Sequence, residues 1–214
     1  MSETVAVVDY GMGNLHSASK ALEKMAVAGQ QILVTSDPDQ VRRADRVVFP
    51  GVGAIRDCIK AITETGLDRA ILDVIDQQTP LLGVCVGMQA LMDFDEENDG
   101  VDCLGVFPGR VRFFGEQYGE VGQRLKVPHM GWNQVQQVSE HPLWDGIDDN
   151  SRFYFVHSYC VTGLPEEQMV GRCEYGMVFA AAAARDAVFT VQFHPEKSAD
   201  AGLRLLANFL RWHP

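Results

Sequence analysis

The sequence predicts an α/β fold: a mostly parallel central sheet flanked by helices, with a β-rich second half. Three observations carry this. Short apolar runs alternate with amphipathic helical patterns up to residue 92. Several of those runs close in glycine-containing loops, at 11–13, 51–53 and 83–87. After residue 103 the pattern changes to closely spaced strand-like segments. A length of 214 residues with 46% apolar residues suits one domain over 1–214 and a sizeable core, and argues against disorder.

Residues 4–9 form an apolar run closed by Tyr10-Gly11-Met12-Gly13-Asn14, which reads as a buried parallel strand entering a loop. A helix over 15–28 follows, with Leu15, Ala18, Ala21, Leu22 and Met25 on one face. Residues 31–35 and 45–49 read as the second and third strands, the latter ending in Pro50-Gly51-Val52-Gly53. Helical patterns cover 54–64 and 67–77, and Pro80 introduces the strand that carries Cys85. The acidic stretch 93–100 reads as a solvated loop, in which one carboxylate could receive an amino-acid ammonium. Strand-like segments follow at 104–114, 125–138, 153–161, 169–174, 177–183 and 187–193. The alanine run 180–184 is helix-prone by composition, but its flanks favour a strand or turn. A final helix spans 199–212, with Ser198 as its expected cap.

Composition excludes several function classes. A net charge of −11 without a basic cluster argues against a nucleic-acid surface. No signal peptide and no membrane-length apolar segment is apparent, so a soluble, cytoplasmic protein is expected. The five cysteines are odd in number and irregular in spacing. Cys58, Cys103, Cys160 and Cys173 read as ordinary buried or half-buried thiols, with no structural zinc and no cofactor expected. Gly11-x-Gly13 lacks the third glycine of a dinucleotide loop, because His16 stands there.

The chemistry concentrates around residues 81–89. An apolar run ends in Gly83-Val84-Cys85-Val86-Gly87, and a helical pattern follows. This is the layout of a nucleophile elbow with a thiol in place of a hydroxyl. A cysteine at a helix start faces unpaired N–H groups that favour the thiolate. Alone, the same residues also fit a small buried hydrophobe. The loop at 51–53 also follows a strand end, and its peptide groups can turn inward, which makes it a candidate oxyanion hole. The run 188–193 leads into His194-Pro195-Glu196. Extended geometry before proline puts His194 and Glu196 on one side, as the base and orienter of a triad.

Taken together, Gly83 to Gln89 and Gln192-Phe193-His194-Pro195-Glu196 resemble the class I (triad) glutamine amidotransferases, and imply their flavodoxin-like fold. Asp9-Tyr10-Gly11-Met12-Gly13-Asn14-Leu15, Pro50-Gly51-Val52-Gly53-Ala54, Pro128-His129-Met130-Gly131-Trp132-Asn133, Tyr154-Phe155-Val156-His157-Ser158-Tyr159 and His194-Pro195-Glu196-Lys197-Ser198 resemble one branch, the glutaminase subunits of imidazole glycerol phosphate synthase. The likeness covers essentially the whole chain. It implies hydrolysis of glutamine to glutamate and ammonia, with Cys85 as nucleophile, His194 as base and Glu196 as its orienter. It implies an oxyanion site from Gly51, Val52, Gly53 and Val86. Substrate contacts are implied at Gln89, Glu97, Ser158 and Tyr159. A heterodimer with a (β/α)8 cyclase subunit is implied, with Trp132, Asn133, Tyr154 and Lys197 at the interface or ammonia path. Val86 stands where the family has leucine, and Thr190 where it has glycine. Rival readings are the same chemistry feeding an anthranilate or guanylate synthase, or another thiol hydrolase or peptidase.

Overall fold

The computed structural model describes residues 2–117, 119 and 123–214. Its strands are β1 (Glu3–Val8), β2 (Gln30–Thr35), β3 (Arg46–Gly51), β4 (Leu81–Cys85), β5 (Met92–Asp95), β6 (Val101–Asp102), β7 (Phe107–Phe113), β8 (His129–Gln134), β9 (Gln136–Gln137), β10 (Arg152–His157), β11 (Tyr159–Thr162), β12 (Met169–Glu174), β13 (Val178–Arg185) and β14 (Val188–Val191). The helices are α1 (Leu15–Met25), α2 (Pro38–Arg42), α3 (Ile55–Thr65), α4 (Leu67–Asp76), α5 (Val86–Ala90) and α6 (Ala199–Arg211).

The centre of the sheet runs β2-β1-β3-β4-β14, with every neighbouring pair parallel. This is the flavodoxin-like order, with β14 returning from the far end of the chain to fill the fifth place. Beyond β14 the sheet continues through β13, β11 and β7 in antiparallel pairing. β8 and β10 form a separate two-stranded ribbon. Right-handed crossovers send α1 to one face and α2, α3 and α4 to the other. Accordingly α1 packs with α6, while α2 and α3 pack with α4.

β1, β3, β4 and β14 are apolar on both faces because both are covered: Val5, Val7, Phe49, Leu81, Leu82, Phe189 and Val191 are all fully buried. The departure at Thr190 is accommodated locally. A Cβ on Gly83 would sit 2.7 Å from Thr190 Oγ1, so the glycine makes the room, and the hydroxyl donates to Gly83 O at 3.2 Å. The 180–184 alanines lie in β13, where small side chains fit between paired strands. The four remaining cysteines are free thiols, three buried and Cys103 half-buried.

Several elements differ from the sequence expectation. The first helix stops at Met25, because Ala26 is extended. α2 had a sequence signal, Asp37 capping a helix with proline at its first turn, but it is too short for apolar periodicity. The 153–161 segment divides at Ser158 into β10 and β11. Ser198 does not cap α6 with its side chain. Arg46 is an internal cation, bonded to Glu3 at 2.6 Å and to the Phe209 and Trp212 carbonyls at the end of α6.

The acidic stretch is not wholly a solvated loop. Met92–Asp95 is a strand, and Asp95 is fully buried. Asp95 Oδ1 accepts from the Glu97 N–H at 2.9 Å, while Oδ2 has no partner. Burial, with the nearby Glu97 and Glu96 charges, raises its pKa from 3.8 to about 7. The folded state therefore keeps a proton that the unfolded chain releases, so stability is lost as pH rises between these values. Asp95→Asn should flatten that decline. Urea unfolding at about pH 4 and about pH 8 should show the variant gaining on the parent at the higher pH. An unchanged difference between the two would refute it.

Candidate active site

Parallel pairing brings the candidate residues to one edge. Gly51, the last residue of β3, is opposite Cys85, the last residue of β4. Val191, the last of β14, is opposite Val84. The 51–53 loop, the thiol and the segment 192–196 thus leave the sheet at the same level.

Cys85 has φ 55° and ψ −109°, a left-handed conformation unusual for a side-chain-bearing residue. This is the geometry of a nucleophile elbow. The turn is possible because Gly87 passes against β3, where a Cβ would lie 2.0 Å from Phe49 O. The helix that follows, α5, is only five residues long.

His194 is buried, and its Nδ1–H donates to Glu196 Oε1 at 2.9 Å. Its Nε2 is enclosed and has no hydrogen-bond partner among the described residues. Burial alone lowers the His194 pKa. The adjacent Cys85 sulfur and the Glu196 carboxylate outweigh it and push the pKa up to about 10. Two backbone links fix the turn. The His194 N–H donates to Tyr154 O at 2.9 Å. Ser198 Oγ donates to His194 O at 2.6 Å and accepts from the Tyr154 N–H at 2.9 Å.

Val52, Gly53, Cys85, Val86, Gln89, Glu97, Ser158 and Tyr159 line one cleft of about 450 Å³, a size suited to a small-molecule ligand. Gly51, Val52, His194 and Glu196 border a second, much smaller cavity of about 20 Å³ beside it. Gln89 is buried, and its Nε2 donates to Tyr159 O at 3.1 Å and to Gln192 Oε1 at 3.2 Å. Glu97 Oε2 accepts from the Ile55 N–H at 2.9 Å, joining the cleft wall to the start of α3. Trp132 and Asn133 do not reach the cleft. They line a separate surface groove, with Trp132 45% exposed. The Lys197 ammonium lies 5.9 Å over the Tyr154 ring.

Two residues near the chemistry do not stand out in the sequence. Gln192 Nε2 is 3.8 Å from Cys85 Sγ. Its place two residues before His194 in an extended segment was the available signal. Ser198 reads as a helix cap, but it fastens the His194 turn to β10.

The family model described as glutamine amidotransferase class-I matches residues 6–212. Imidazole glycerol phosphate synthase subunit HisH 1 of Pseudomonas aeruginosa is 59% identical over 212 residues, covering 99% of this chain and 98% of that protein. The HisH subunit of Nitrosococcus oceani is 54% identical, covering 98% of each. A solved glutamine amidotransferase superposes with a TM-score of 0.72 at 16% identity, covering 97% of this chain and 99% of that one. A putative GMP synthase protein from Thermoplasma acidophilum gives 0.70 at 19% identity, covering 99% of this chain and 94% of that one. The last two likenesses concern the fold.

Because Glu196 raises the His194 pKa, Glu196→Gln should move it downward. NMR titration of the His194 ring reads this directly. No movement would mean that the carboxylate does not act on the ring.

Proposed function

The chain belongs to the class-I glutamine amidotransferase family, and from that premise we propose that it is the glutaminase subunit of an imidazole glycerol phosphate synthase, serving histidine biosynthesis. The single observation that carries this is the meeting of Cys85, His194 and Glu196 at one sheet edge, in a chain 59% identical to a named subunit of that synthase. An anthranilate- or guanylate-type partner is less well supported. The GMP synthase likeness is one of fold at 19% identity, whereas the HisH likeness extends along the sequence.

In this reading the whole chain, 1–214, acts as one domain in the cytoplasm. Among the described residues no helix is long and apolar enough to cross a membrane. Glutamine lies in the cleft with its side-chain amide at Cys85. The sulfur attacks the amide carbon, and His194 holds the thiol proton. N–H groups from Val86 and the 51–53 loop receive the developing oxyanion, each such donor worth about 3 kcal/mol of barrier. As the carbon–nitrogen bond breaks, His194 passes its proton to the departing nitrogen, which leaves as ammonia. Water, deprotonated by the same ring, then cleaves the glutamyl thioester to glutamate and restores the thiol. Glu196 fixes the ring's tautomer throughout. Gln89, Glu97, Ser158 and Tyr159 hold the amino-acid end. No step requires a cofactor.

The ammonia passes to a (β/α)8 cyclase subunit, the proposed heterodimer partner. A surface that exposes Met130 at 62%, Val178 at 54% and Trp132 along one groove supports a protein partner there. Trp132, Asn133, Tyr154 and Lys197 belong to that docking face. Trp132→Ala should weaken association by about 2 kcal/mol or more, as loss of a central aromatic does. Titration calorimetry with the cyclase subunit measures it, and unchanged affinity would remove Trp132 from the interface.

Cys85→Ala should abolish glutamine-driven synthesis by the assembled complex and spare synthesis driven by added ammonium salt. If both fall together while the complex stays assembled, the division of labour is wrong.

A further inference from the structure

A line of hydrogen bonds crosses the protein from the surface groove to the thiol. Asn133 Nδ2 is 3.3 Å from His129 Nε2. His129 Nδ1 is 3.0 Å from His157 Nε2. His157 Nδ1 is 2.8 Å from Tyr159 O. Gln89 Nε2 donates to that same carbonyl and to Gln192 Oε1, and Gln192 reaches Cys85 Sγ. His129 and His157 face each other across the β8–β10 ribbon, so backbone pairing sets their contact.

The direction of every donor between Asn133 and the carbonyl is determined. A carbonyl only accepts, so His157 Nδ1 carries a hydrogen. A neutral imidazole has one N–H, so His157 Nε2 accepts and His129 Nδ1 donates. His129 Nε2 therefore accepts from the Asn133 amide. That amide is oriented independently, since Nδ2 also donates to Glu174 O at 2.9 Å and Oδ1 accepts from the Gln134 N–H at 2.8 Å.

The surroundings keep both rings neutral. His129 is 3% and His157 6% exposed. His129 stacks on Tyr175 and Phe155, and Phe114 and Phe179 pack edge-on to both rings. Neither ring is paired with a carboxylate among the described residues. Burial pushes His129 down to about 4; it also pushes His157 down to about 3, against the bond to Tyr159 O, which raises it, and with His129 and then His194 adding to the fall.

We propose that His129 and His157 are positioning residues: a relay locked in one tautomeric order that fixes the Tyr159 carbonyl at the glutamine cleft and ties it to Asn133 on the docking face. The proposal rests on the glutaminase reading and adds a route by which the docking face bears on the substrate pocket. With His157 and Gln89 both donating, the Tyr159 carbonyl uses both lone pairs, and the segment lining the cleft is held from two sides.

The test uses the assembled synthase. His157→Phe removes the donor, and the KM for glutamine should rise about tenfold with kcat within about twofold. His157→Asn, whose amide can take the place of Nδ1, should recover KM to within about threefold. If His157→Phe does not fold, His157→Gln, which lacks a donor at that position, takes its place in the comparison. An unchanged KM in the donor-less variant, or an Asn variant no better than it, overturns the proposal. Independently of turnover, nitrogen NMR of the histidine rings should show both with Nδ1 protonated and Nε2 bare near neutral pH. An Nε2–H tautomer or an imidazolium at either ring overturns the relay. A parent complex that consumes no glutamine would instead defeat the glutaminase reading, leaving the ring tautomers to judge the relay alone.

Discussion

The parallel register of β3, β4 and β14 decides where the chemistry sits. Gly51 opposite Cys85, and Val191 opposite Val84, bring three strand ends to one level. Each strand contributes one part there: a glycine loop, a thiol and a histidine. A register slip of one residue in β4 would turn Cys85 to the other face of the sheet and bring Gly83 out of step with Thr190. The close fits at Gly83 and Gly87 work against such a slip. Gly83 also makes the room for Thr190, because this neighbour across the strand has no side chain.

The β8–β10 ribbon has a second organising role. It stands apart from the main sheet, yet its backbone and side chains reach the cleft from two directions. Tyr154 holds the His194 turn through its N–H, by way of Ser198, and through its carbonyl. His157, three residues later, holds the Tyr159 carbonyl. The opposite strand carries Trp132 and Asn133 in the exposed groove. One ribbon therefore bears three of the four proposed docking residues, Trp132, Asn133 and Tyr154, and touches both the His194 turn and the cleft wall. On the proposed reading, a partner docked on this ribbon would bear on the site without contacting it.

Much of the fold was legible because the central strands are buried on both faces and read as apolar runs, and because the helices between them carry a clear stripe. The meeting of Cys85, His194 and Glu196, the candidate triad, was legible because they sit in two short motifs whose local geometry is set by glycine and proline. What was not legible depended on neighbours distant in sequence. Asp95 looks solvated in an acidic run, but its strand pairs with β6 and β7, and its side chain turns inward. Arg46 falls in the third strand by sequence, but nothing local shows that α6 delivers two carbonyls to it. Ser198 occupies a capping position in sequence, but the Tyr154 N–H claims its oxygen. His129 and His157 lie 28 residues apart, and only strand pairing joins them.

The account depends on covalent catalysis at Cys85. Its most direct measurement is mass analysis of the assembled complex, quenched in acid during glutamine turnover and digested. A glutamyl mass increment should appear on the peptide carrying Cys85, and disappear when glutamine is withheld. A quenched enzyme in active turnover with no adduct at Cys85, or with one on Cys58, Cys103, Cys160 or Cys173 instead, would contradict it.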